Sequence, residues 1–158
     1  MKPVSYISPV ITSLLLAIIF QLIPVSGDWI LWKPNFLMLV VLAWILYLPN
    51  RFGVGFAAAV GLLADTLFRT NLGHYMLVFA LCGGIAYILS RWLAYFSPLH
   101  RAFMVVGLVV LAELLEAALY TIWDVSMNLG HLPALGLTSA IVWLFVDKLV
   151  ARICQRQR

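Results

Sequence analysis

The sequence predicts an all-α integral membrane protein, a single domain (residues 1–158) built as one bundle of six transmembrane helices with both termini in the cytoplasm. Three observations carry this. First, 65% of the 158 residues are hydrophobic and only 10% are charged, with a mean hydropathy of +1.06. A soluble domain of this length cannot bury that much apolar surface, and about a quarter of its residues are ordinarily charged. Second, six apolar runs approach the roughly 20 residues that cross a ~30 Å hydrocarbon core. Third, the cations are lopsided. If the runs alternate in direction, Lys2, Arg51, Arg91, Arg101, Lys148, Arg152, Arg156 and Arg158 fall on one side and only Lys33 and Arg69 on the other. The positive-inside rule assigns the crowded side to the cytoplasm.

The runs follow in order. The first covers residues 9–24 behind Lys2. Its tail, Val25-Ser26-Gly27, loosely resembles a signal-peptide cleavage site, but the reading here is a retained anchor. A Trp-rich polar break from Asp28 leads to Lys33-Pro34, where proline suits a first helical turn, and the second helix covers residues 34–48. Pro49-Asn50-Arg51 is a tight turn that predicts antiparallel packing of helices two and three. Helix three covers 52–68, helix four 72–90 with Gly83-Gly84 near its middle, helix five 102–123 and helix six 132–150. Trp29, Trp32, Trp92, Trp123 and Tyr47 fall near helix ends, as an interfacial aromatic belt requires.

A net charge of +4 does not imply nucleic-acid binding, because the cations sit singly in short loops with no recognition motif. Cys82 and Cys154 form no disulfide framework or metal spacing and read as packing and tail residues. No nucleophile elbow, phosphate-cradling glycine loop or His-Glu-x-x-His is present, and no loop is large enough to fold a soluble active site. The chain reads as non-enzymatic, with no cofactor.

Residues 51–73 organise the rest. Gly53, Ala57, Gly61 and Asp65 recur every fourth residue and so form one helical stripe, with Gly55 nearby and Gly73 just past the helix. Small residues at that spacing admit another helix closely in lipid, either a neighbour in the bundle or a partner's helix. Asp65, costly in such a place, needs a contact within the chain or on a partner; the plainer reading is an (i, i+4) pair with Arg69. Glu113 and Glu116 share a face of helix five, continued by Tyr120. Two intramembrane acids suggest either polar contact within the bundle or a small-solute or proton site. His74 reads as interfacial, and Asp147 as a partner of Arg91, Arg101 or Arg152. His100 and His131 belong to no visible constellation.

The order of these features resembles the rod shape-determining membrane protein MreD family. The resemblance rests on Lys33-Pro34-Asn35 opening an apolar helix that ends Tyr47-Leu48-Pro49, then Arg51, Gly53-Val54-Gly55, Gly61-Leu62-Leu63-Ala64-Asp65 and Leu72-Gly73-His74. It implies a non-catalytic inner-membrane component of bacterial cell elongation. Such a component binds the bitopic protein MreC and works with the actin-like MreB, a RodA-type glycosyltransferase and a class B penicillin-binding transpeptidase, among membrane lipids. The family is similar in fold to the S components of energy-coupling-factor transporters. That keeps a second expectation open, a solute-binding transporter subunit using the Glu113/Glu116 pair.

Overall fold

The computed structural model describes residues 6–24, 27, 33–92, 97–122 and 129–156; of Ile122, Leu129 and Arg156 only the backbone is described. Lys2, Val25, Ser26, Asp28, Trp29, Trp32, Trp123 and Arg158, all used above, lie outside the described residues. Among those described, six α-helices form the protein: α1 (Ile7–Leu22), α2 (Phe36–Tyr47), α3 (Val54–Phe68), α4 (His74–Ser90), α5 (Pro98–Ile122) and α6 (Leu132–Arg156). A short 3-10 turn, Leu129–His131, leads into α6. Stretches of α5 and α6 are long and apolar enough to cross a membrane (Pro98–Thr121 and Leu132–Gln155), and the other four helices are shorter and apolar, consistent with a helical membrane protein.

α2 is the centre. Its sequence, FLMLVVLAWILY, has no polar face, and every residue from Leu37 to Leu46 is buried. A helix apolar on all sides must be surrounded by lipid or by protein, and here it is protein. α1, α4 and α6 wrap it, with lighter contact from α5. The expected pairing of α2 with α3 is corrected accordingly. The Pro49–Arg51 turn forms, but α3 turns away to lie against α4 and touches α2 only marginally; Phe52, just before α3, sets its ring 5.8 Å from that of Trp44. A short connection fixes where two helices start, and the side chains then decide which neighbour each packs on.

The α3–α4 pairing is close because small residues line it. A Cβ on Gly61 would lie 2.6 Å from the Tyr75 carbonyl oxygen and 2.7 Å from Met76 Cα, and one on Gly83 would lie 2.5 Å from Ala57 Cβ. The two backbones therefore approach where no larger side chain fits, and packing at such contacts is what holds helices together in lipid.

The ends are capped. Asn35 Oδ1 accepts from the Met38 amide and opens α2, so the cap is Asn35 rather than Pro34. Lys33 Nζ donates to the carbonyls of Gln21 (2.5 Å) and Ile23 (2.8 Å), which the end of α1 leaves unmatched, and Gln21 Oε1 accepts from the Phe36 amide. Partial burial lowers the Lys33 pKa from its ordinary value. α5 begins four residues earlier than expected, and α6 runs six residues further.

Candidate functional site

The anticipated stripe on α3 divides. Ala57, Gly61 and Asp65 are buried and spent on α4, Gly53 stands near the Tyr87 ring, and Gly55 meets nothing within 4 Å. Of the two occupants the spacing allows, a neighbour in the bundle fills the portion from Ala57 to Asp65: it is α4 of the same chain. Gly73 adopts φ 98°, ending the tight link that follows Arg69, itself left-handed at φ 54°.

That link brings the first turn of α4 onto Asp65. The carboxylate, 1% exposed, accepts from the amides of Tyr75 (2.7 Å), Gly73 (2.9 Å) and Met76 (3.2 Å) and from the Thr70 hydroxyl (2.9 Å). An anion at a helix N-terminus meets both unpaired amides and the positive end of the helix dipole. This is the contact that makes a buried acid affordable here. The (i, i+4) pair with Arg69 is replaced by it: Asp65 is an N-cap supplied from a neighbouring helix.

The acids of α5 stand close to the same end of the bundle. Glu116 is buried beside Tyr75, whose surroundings also include Glu113, Tyr120 and Asp65. Glu113 Oε2 lies 3.7 Å from His131 Nε2, joining α5 to the turn before α6. The Tyr120 ring lies 4.7 Å from that of His74, which also packs edge-on to Tyr75. The structure therefore gathers Glu113, Glu116 and Tyr120 as the sequence suggests. It adds His74, Tyr75 and His131, and the cluster lies in the C-terminal half of α5. Among the described residues, no group of three or more His, Cys, Asp or Glu side chains is arranged to hold a metal ion.

A second polar knot ties the opposite end. Tyr47 Oη donates to Asp147 Oδ1 at 2.7 Å and accepts from Arg101 Nη1 at 2.8 Å, and Arg101 and Asp147 face each other at 3.7 Å. Three side chains from α2, α5 and α6 thus bind one another, with Arg101 Nε left buried and unpartnered among the described residues. Of the three cations proposed for Asp147, the structure selects Arg101.

A family profile described as "rod shape-determining protein MreD" matches residues 4–153. The chain belongs to the MreD family. It is also 26% identical, over 91% of its own length and 89% of the relative's, to the rod shape-determining protein MreD of Haemophilus influenzae. No solved structure matches the chain. The family's role is rod-shape determination in bacteria, at the membrane. The MreD-like segments singled out in the sequence now have physical jobs. Lys33 and Asn35 cap two helices, Gly61 lets α3 reach α4, and Asp65 with Gly73 begins α4.

Proposed function

We propose that this MreD-family chain is a non-catalytic, six-pass scaffold of the bacterial inner membrane, with both termini cytoplasmic, that docks an MreC-like bitopic protein. Through that protein it supports the rod-shape peptidoglycan-synthesis complex, together with an MreB-like filament, a RodA-type glycosyltransferase and a class B transpeptidase. The family match over nearly the whole chain carries the reading. The charge asymmetry of eight cations against two supports the orientation. The two polar knots support a scaffold role, since their side chains are engaged with one another and brace the bundle.

The docking face is narrowed to what α4 leaves uncovered on α3: Gly55 and Ala59, both exposed and one turn apart. Small residues at that spacing receive a single helix by close backbone contact. The test is a mild-detergent pull-down with mass-spectrometric identification. Wild type should recover an MreC-like protein, and Gly55→Leu should recover markedly less while the protein remains folded. Undiminished recovery with Gly55→Leu would remove this face.

A second reading, a solute-binding subunit similar to the S component of an energy-coupling-factor transporter, is favoured by one observation. The Glu113, Glu116, Tyr120, His74 and His131 cluster gathers polar groups at one end of the bundle. Co-purification of an ATPase with a coupling subunit, in place of an MreC-like protein, would shift the reading to it.

A further inference from the structure

An apolar groove of about 310 Å3 runs between α1 and α6, floored by α2. Its lining includes Ala17, Phe20, Phe36, Val142, Phe145 and Leu149. The one hydroxyl on its wall, Ser13, is already engaged: it donates to the Val10 carbonyl and accepts from Trp44 Nε1, both at 2.9 Å. A polar solute would find no partner there, whereas hydrocarbon loses nothing. The rings of Phe20 and Phe36, 5.7 Å apart, stand where α1 ends and α2 begins, and close that end. A helix about 10 Å across cannot pass such a stop, but a chain of methylenes can end against it.

The other end is cationic. Phe145 and Arg152 are seven residues apart and so share one line of α6, with Leu149 between them. Arg152 is exposed and makes no ion pair among the described residues. On the α1 wall, Tyr6 lies seven residues before Ser13, and the Arg51 guanidinium sits over its ring at 5.0 Å. Asp147, the nearest acid on α6, is taken by Tyr47 and Arg101. Residues 142–150 of α6 span about 12 Å at ~1.5 Å per residue, close to the ~15 Å half-thickness of a hydrocarbon core.

We propose that this groove binds one acyl chain of an anionic phospholipid of the cytoplasmic leaflet, whose phosphate is received by Arg152 with Arg51 on the opposite wall. A guanidinium suits a phosphate because its donors form a planar fork. The choice of leaflet rests on the orientation proposed above; the groove and its basic mouth do not.

The test uses the full chain, delipidated in mild detergent and re-exposed to phosphatidylglycerol or to phosphatidylcholine of identical chains, with retained lipid read by native mass spectrometry. Wild type should retain phosphatidylglycerol in preference. Arg152→Glu should cut that preference at least about five-fold, equivalent to ~1 kcal/mol. Leu149→Trp should fill the groove and lower retention of both lipids, while Leu63→Trp, on an exposed part of α3, should leave retention as in wild type. Thermal unfolding of each variant without lipid separates lost binding from lost fold. Equal retention of both lipids by wild type, or no effect of Arg152→Glu and Leu149→Trp in folded protein, would overturn the proposal. A reporter fused to the C-terminus reads the orientation independently, so a failed groove and a failed topology are told apart.

Discussion

Replacing Gly61 with alanine puts the α3–α4 contact under load with a single methyl. That methyl would stand 2.6 Å from the Tyr75 carbonyl oxygen, 2.7 Å from Met76 Cα and 2.9 Å from Met76 N. All three are backbone atoms of the first turn of α4, so no side chain can rotate away. Ordinary contact begins near 3.5 Å, so the helices must separate locally by most of an ångström. Overpacking of this kind costs about 1–3 kcal/mol. The better helix propensity of alanine returns up to ~1 kcal/mol. A further loss follows from geometry: Asp65, one turn along α3, caps the same turn of α4, so separation there stretches three amide bonds to its carboxylate. The expected net is destabilisation by about 1–3 kcal/mol. The assay is equilibrium unfolding in mixed micelles, with Gly55→Ala as the internal control. Gly55 meets nothing within 4 Å, so that variant should equal or slightly exceed wild type. Gly61→Ala as stable as Gly55→Ala would refute the claim that backbone proximity, and not helix propensity, fixes glycine at position 61.

Two further perturbations address the polar knots. Asp65→Leu leaves three amides and the Thr70 hydroxyl without their acceptor, so it should lose at least the ~2 kcal/mol at the upper end of helix-cap losses; hydrogen exchange at Gly73, Tyr75 and Met76 should accelerate, and unchanged protection there would contradict the cap. Tyr47→Phe removes the hydroxyl between Arg101 and Asp147 and should cost about 1.5 kcal/mol, the low end for bonds to charged groups, because the ion pair can close at its expense. Arg101→Ala added to Tyr47→Phe should then cost less than it does alone, and strict additivity in that double-mutant cycle would show that the three side chains do not act as a unit.

How far the sequence exposed this architecture depended on how local each signal was. The helices were readable because apolar runs and polar breaks are local, and their ends moved by a few residues where caps such as Asn35 take precedence over proline. The central position of α2 was not readable. In water, an all-round apolar helix announces burial, but in a membrane lipid satisfies the same pattern, so the periodicity test loses its power. Asp65 was recognisable as a residue needing a contact, yet its amide donors lie eight to eleven residues on, beyond any helical spacing rule. The glutamates shared a face as i, i+3 geometry requires. Their neighbours His74, Tyr75 and His131 come from other elements and carry no periodic mark. A hint was present in retrospect: each of those three sits at the start of its helix or in the turn before it, at the same end of the bundle where α5 finishes.

The enclosure of α2 also bears on how the chain is made. At about 1.5 Å per residue its twelve residues reach only ~18 Å, well short of a ~30 Å hydrocarbon core. As a lone segment leaving the translocation pore it would be an inadequate span, and two of the helices that will surround it, α4 and α6, have not yet been synthesised. α1, whose last carbonyls take Lys33 and whose own Gln21 holds the Phe36 amide, is its companion at that moment. The remaining sides of α2 close only when the last helix arrives. Synthesis interrupted before α6 therefore leaves one side of the innermost segment uncovered, although α1 and α4 are already in place.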